Sequence, residues 1–414
     1  MRILFLSNLY PPNIVGGYER LCFEIATGLV NRGHQVMVLT SDYGGRTMDF
    51  PGQVVCRDLH LLATKDDIYK PFNCTPEERS AINDHNDKVF KSTVEQFDHH
   101  VLFVWNLFFY APSLLETIKQ TRRPTFYLLT DNWLAAFLNP DFVQNYMTIR
   151  VLSHVPQYQL LYGSIKRWFQ HRGEAGFFMP GCAIFASRFM REFYSEANFK
   201  FKGDTIIYHG VNLPVHHKER FAIRKKFVTD GELRLLFAGR IVELKGVHTV
   251  IQSLPLILKM LPDLKVTLTI VGDDREQTYL ERLHNQIEKL QLSSIIEFIK
   301  PVTEDNLFDL FQQYDIYLFP SLYEPFSLTL IHALNAGIPT IASDAGGNPE
   351  IVRNNYTGLL FPKENAKKLA EAVLCLTKNH ALRQTISDNA QQLSQEYRFK
   401  RMLTEIEHYL ESEK

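Results

Sequence analysis

Residues 315–352 constrain the fold more than any other stretch. Asp315 opens a short apolar run, Glu324 stands in the turn that follows, a helix-length segment stops at Gly337 with Pro339 just beyond, and a second apolar run ends in Gly346-Gly347. Apolar runs of this length on both sides of one helix fit strands buried on both faces, as in a parallel sheet covered by helices. A glycine at the helix end with proline behind it is the usual stop signal. Glu324 therefore falls at a strand-to-helix junction, and the N–H groups of Phe326, Ser327, Leu328 and Thr329 open the helix without intrahelical partners. Such a junction suits an anion next to a carboxylate able to accept hydroxyl hydrogens. Phosphate beside polyol points to a nucleotide sugar.

The same alternation runs through the rest of the chain and restarts once. Strands are expected at 3–6, 34–40, 100–105 and 125–129, with a helix from 17 to about 32 that sets Leu21, Ile25 and Leu29 on one face. Thr75-Pro76-Glu77-Glu78 predicts a capped helix start. Short strands at 184–187 and 205–208 close the first half, and 209–214 reads as a hinge. The second half repeats the pattern, with strands at 233–238, 266–271, 295–299 and 314–319. At 414 residues the chain exceeds the size at which one core stops growing. The expected class is α/β: two Rossmann-like domains, 1–212 and 213–395, facing a central cleft, with a last helix, 396–414, packing back on the first.

With 45 basic and 46 acidic residues, the chain lacks the charge of a nucleic-acid-coating protein. Its five cysteines show no C-x-x-C spacing and suggest neither disulfide framework nor zinc site, which fits a cytoplasmic setting. The most apolar run, 101–112, is too short to span a bilayer. One stretch, 142–173, holds no acidic residue and interleaves Arg150, Lys166, Arg167 and Arg172 with aromatic rings. It reads either as a solvated surface helix or as a peripheral contact for an anionic membrane.

Ligands of open parallel sheets lie beyond the carboxyl ends of the strands. Arg240 and Lys245, five positions apart in such a loop, offer a fork and a point charge to a diphosphate. Gly16-Gly17 lets backbone approach a phosphate or a sugar ring closely, and Val302, after the strand at 295–299, stands where backbone groups would read the base. Neither the G-x-G-x-x-G nor the P-loop spacing is present.

Taken together, Gly16-Gly17, Gly239-Arg240 with Lys245-Gly246, Val271-Gly272-Asp273 and the run 321–352 resemble the successive signatures of family-4 glycosyltransferases of the GT-B fold. The resemblance implies a nucleotide-diphosphate sugar donor (UDP or GDP) held by the second domain and a glycan, lipid or small-molecule acceptor held by the first. It also implies transfer of a hexose-type sugar with retention, no required metal and no cofactor besides the donor substrate. By matching motif, Arg240 and Lys245 would stabilise the leaving diphosphate and Glu324 would bind the donor sugar. Backbone of 326–329 and the glycines Gly16, Gly17, Gly239 and Gly272, with Val302 and Pro325, would complete the donor site.

Two positions depart from the family. Its second glutamate, a ribose ligand eight residues after the first, is here His332, which either still bonds ribose or packs on the helix. A histidine common after the strand 125–129 is replaced by Thr130-Asp131, so that Asp131 either touches the acceptor or caps the next turn. A non-catalytic nucleotide-sugar-binding or partner subunit of the same fold is the alternative these departures allow, and an epimerase or hydrolase of the same architecture is a third.

Overall fold

The computed structural model describes residues 1–68, 70–152, 176–213, 227 and 231–412. They form two compact units. The described part of Met1–Arg150, His154–Ile207 and Leu403–Lys414 makes one, and that of Val151–Ser153 and Tyr208–Met402 makes the other.

The first unit is built on seven parallel strands: β1 (Arg2–Leu6), β2 (Gln35–Ser41), β3 (Gln53–Leu59), β4 (Val101–Val104), β5 (Thr125–Leu129), β6 (Phe177–Phe185) and β7 (Phe199–Ile206). Their order is β3-β2-β1-β4-β5-β6-β7, so the winding reverses between β1 and β4. β4 and β5 are buried at every residue, which is why they read as unbroken apolar runs. The helix Pro76–Phe97 begins at Thr75 as expected: the Thr75 hydroxyl accepts the Glu78 N–H at 3.2 Å and the Glu78 carboxylate accepts the Thr75 N–H at 2.8 Å. At the chain's end, Leu403 lies so close to Gly28 that a Cβ there would stand 2.5 Å from a leucine methyl. Glu407 receives Arg32 and the His34 imidazole, the latter at 2.7 Å.

The second unit repeats the plan with six parallel strands: β8 (Glu232–Ala238), β9 (Lys265–Val271), β10 (Ile296–Ile299), β11 (Ile316–Phe319), β12 (Thr340–Ser343) and β13 (Leu359–Phe361), in the order β10-β9-β8-β11-β12-β13. Its reversal falls between β8 and β11. Leu233, Leu235, Phe237, Val250, Leu254 and Ile270 lie in its core. At the amino ends of β8 and β11, Arg234 grips Asp315, with Nε–Oδ2 at 3.1 Å and Nη2–Oδ1 at 3.0 Å, and Asp315 is 2 % exposed.

The expected hinge at 209–214 begins just past the boundary between the units, which falls between Ile207 and Tyr208. Val211 donates to the Tyr397 carbonyl at 2.9 Å and accepts from the Phe399 N–H at 3.0 Å. A Cβ on Gly210 would stand 2.5 Å from the Arg398 carbonyl oxygen, so 209–211 is packed backbone within the second unit. Among the described residues no helix is long and apolar enough to cross a membrane.

Candidate active site

In an open parallel sheet the crevice for a ligand lies where strand order reverses. In the second unit that place is flanked by the loops after β8 and β11. The Leu322 N–H donates to the Leu244 carbonyl at 2.8 Å, and a Cβ at Gly246 would stand 2.1 Å from the Pro320 carbonyl oxygen. Gly246 also has φ +69°, a left-handed backbone that only glycine adopts readily. This clamp delivers Lys245 to Glu324: the ammonium donates to the Glu324 carboxylate and lies 5.7 Å from the centre of the Phe319 ring. Their side chains are 17 % and 9 % exposed.

Beyond Glu324 the chain turns into the helix Leu328–Ala336, capped by Ser327, whose hydroxyl accepts the Leu330 N–H at 3.2 Å. The N–H groups of Leu328 and Thr329, in its first turn, have no acceptor within the helix and carry its positive dipole end. Phe326 is placed otherwise. Its ring stacks on Tyr208 at 5.4 Å and meets His209 and Tyr397 at 5.6 and 5.9 Å, so its side chain is core and only its backbone is left for a ligand. Pro325 is half-buried beside it.

Arg240 is exposed in the loop after β8, and among the described residues it makes no hydrogen bond or ion pair. Its electrostatic neighbour is Asp273, whose carboxyl is held below its ordinary range chiefly by Arg275 and further by Arg240. Gly239 and Gly272 touch: a Cβ on Gly272 would stand 1.8 Å from the Gly239 carbonyl oxygen, so Gly272 brings the loops after β8 and β9 together. Val302 is half-buried in the segment after β10. Close to it, Glu304 reaches His332, with Oε1 2.9 Å from Nε2, and His332 is only 5 % exposed. His332 is thus buried with a carboxylate as its partner.

The first unit holds the other predicted residues. Gly16 caps the helix Gly17–Asn31, and its N–H donates to Glu19 at 2.9 Å. Its backbone is extended, and the nearest atom to a Cβ there would be Glu19 Oε2 at 3.9 Å, so the fold itself does not demand a glycine. Gly17 is exposed beside it. Asp131 follows β5, and its Oδ1 accepts the Trp133 N–H at 2.9 Å. Burial, with the Glu19 charge adding to it, pushes its carboxyl up to about 6. Burial raises the Glu19 carboxyl as well.

Residues 219–393 match the family model described as glycosyl transferases group 1. An uncharacterized glycosyltransferase of Methanocaldococcus jannaschii is 25 % identical over 400 residues, covering 94 % of this chain and 92 % of the relative. Among solved structures, sucrose-phosphate synthase from Thermosynechococcus elongatus superposes with a TM-score of 0.71 at 18 % identity, covering 99 % and 98 % of the two chains. HepE of Anabaena, solved in complex with UDP-glucose, does so with a TM-score of 0.66 at 20 % identity over 100 % of both. The chain has the GT-B fold, and its second half carries the glycosyl transferases group 1 match.

Motif reading missed the residues that fix Glu324 from behind. The Gly347 N–H donates to the Glu324 carbonyl at 2.7 Å, and Cβ atoms on Gly346 and Gly347 would stand 2.2 and 2.4 Å from the carbonyl oxygens of Glu324 and Pro325. Gly346 has φ +59°. The Gly-Gly pair after an apolar run was the available signal. Glu304 left none, being 28 residues from His332. Among the described residues no group of three or more His, Cys, Asp or Glu could hold a metal ion. Of the stretch 142–173, residues 153–173 lie outside the described residues. In the remainder, Phe142 and Tyr146 pack on Phe193, and Arg150 pairs with Glu196.

Proposed function

We propose that this chain is a glycosyltransferase that moves a hexose-type sugar from a nucleoside-diphosphate donor, UDP or GDP, to a glycan, lipid or small-molecule acceptor with retention at the anomeric carbon, as family-4 enzymes do. The observation that carries this reading is the buried Lys245–Glu324 contact at the mouth of the helix Leu328–Ala336. A carboxylate there accepts sugar hydroxyls, while an ammonium and the helix N–H groups meet phosphate oxygens. HepE of Anabaena was solved with UDP-glucose, which favours uridine as the base.

As the bond from the anomeric carbon to the phosphate oxygen breaks, negative charge gathers on the diphosphate, and Lys245, Arg240 and the helix amides stabilise it. The acceptor oxygen bonds to the anomeric carbon on the same face, and its proton passes to the departing phosphate oxygen. Glu324 holds the sugar through this exchange. Three positive partners for the diphosphate support a reaction without a required metal. Asp131 and the Gly16-Gly17 helix start serve the acceptor and the phosphate side, respectively. Five cysteines, none in a disulfide, support a cytoplasmic setting.

The test is a panel of UDP- and GDP-hexoses with and without candidate acceptors, following release of the diphosphate. Acceptor-dependent release is expected, and product NMR should show an unchanged anomeric configuration. Binding without turnover would instead mark a non-catalytic subunit, and no binding would overturn the reading.

A further inference from the structure

The first unit contains a cavity of about 350 Å³ that none of the expected site residues lines. It lies at the carboxyl ends of β2 and β3, among Asp42, Tyr43, His60, Lys65, Phe72 and Ile82. Its polar side is firmly built. The Asp42 N–H donates to the Leu59 carbonyl at 2.9 Å, joining the two strand ends. The His60 N–H donates to the buried Asn86 side chain at 2.8 Å, and the same amide returns a bond to the His60 carbonyl at 2.8 Å. The His60 ring stacks on His85 at 4.3 Å, and its Nδ1 lies 3.3 Å from Asp42 Oδ2, which also receives Lys65. His60 Nδ1 is buried yet makes no hydrogen bond of good geometry.

Three features choose the occupant. Phe72, Tyr43 and Ile82 contribute half-buried apolar surface to the lining, and Asp42 and His60 contribute a carboxylate and an imidazole. Such a pairing suits a pyranose, whose C–H face lies on rings and whose hydroxyls bond polar groups. One acidic and one basic residue are already paired, so the site has no excess charge to offer an anionic ligand.

Position supplies the third. The reversal of strand order lies between β1 and β4, where the Asn8 N–H joins the Asn106 carbonyl at 2.8 Å. Neighbouring strands are about 4.8 Å apart, so the ends of β2 and β3 lie roughly 5 and 10 Å along the sheet from β1. That offset is the reach of a sugar residue linked to one held at the reversal.

We infer that this cavity is a subsite for a neutral sugar residue of a glycan acceptor, next to the residue that receives the transferred sugar. The inference rests on the reading that the first unit takes the acceptor. It narrows the acceptor class from glycan, lipid or small molecule to a glycan of at least two residues.

Saturation-transfer NMR on the full chain, with methyl glucoside, methyl galactoside, maltose and lactose as probes, tests it, and UDP titration by calorimetry runs alongside. At least one sugar should receive saturation. Filling the cavity with Ile82→Trp should abolish that signal, and Asp42→Ala should weaken affinity about tenfold, with UDP affinity within twofold of the parent in both. No signal from any sugar while UDP still binds overturns the subsite, as does a signal that survives Ile82→Trp. Signal from octyl glucoside through its alkyl chain alone overturns it in favour of a lipid pocket. Loss of UDP binding in the parent chain would instead strike at the proposed function, and the sugar arm would still decide the cavity.

Discussion

Two buried ion pairs join the same two strands of the second unit, one at each end. At the amino ends of β8 and β11, Arg234 holds Asp315 with two guanidinium bonds, and the Arg234 N–H adds a third at 2.8 Å. At the carboxyl ends, Lys245 reaches Glu324 with its ammonium alone. The first pair is saturated: the carboxylate is 2 % exposed and both its oxygens are bonded within the protein. The second leaves ammonium donors and carboxylate lone pairs unassigned among the described residues, beside a helix start. A pair closed on all sides holds strands together; a pair of similar burial with bonding capacity in hand is equipped for a ligand.

Four variants bear on that contrast. Asp315→Ala leaves the mostly buried Arg234 without its partner and should lower unfolding free energy by about 3–5 kcal/mol, read from urea midpoints. A midpoint close to the parent would mean the amino-end pair does not hold the sheet. Lys245→Ala and Glu324→Ala should each reduce kcat/KM by tenfold or more, about 1.5–3 kcal/mol, in chains whose circular dichroism is unchanged. Joining Lys245→Met with Glu324→Leu should preserve or raise stability while abolishing turnover, because an apolar pair of similar size replaces buried charges well. Clear destabilisation of that double variant would erase the distinction between the pairs.

Asp131→Asn extends the comparison to the first unit. Its folded carboxyl titrates near 6 against 3.8 ordinarily, so between these values the folded chain keeps a proton that the unfolded chain releases. Stability therefore falls as pH rises through that window and stays lower above it. The amide should remove this slope and gain up to about 2 kcal/mol at pH 7, measured by thermal melts from pH 4 to 8, while acceptor-dependent turnover drops. Parallel pH–stability curves for parent and variant would contradict it. The smallest effect is expected at His332→Glu, which sets a second carboxylate against Glu304 and should weaken UDP binding by up to about tenfold, ~0.5–1.5 kcal/mol. Unchanged calorimetry would place His332 away from the nucleotide.

Central strands were legible because apolar residues fill most of their positions, with Arg234 in β8 and Thr267 and Thr269 in β9 as minor breaks: β1, β5, β8 and β9 fall within a residue or two of the apolar runs. Of the edge strands, β10 lies within a residue of its expected run, but β3 and β13 were not legible. β3 mixes exposed and half-buried residues, with Val54 53 % exposed, and β13 has only three residues. β6 begins well before its apolar run because Pro180 and Gly181 break the pattern where its register with β7 slips, between Met179 and Cys182. In the site, Lys245 and Glu324 announced themselves by standing at strand ends. Partners that meet only in space, such as Glu304 with His332, carry no local signature.

The Lys245–Glu324 contact carries one more consequence for the proposed function. Because the two charges cancel each other, the pair presents little net field to inorganic phosphate, sulfate or free sugars, each of which would satisfy one member and strand the other. A donor carrying both a hydroxylated ring and a phosphoryl group would replace both partners at once. The proposed reading therefore predicts discrimination against simple cellular anions.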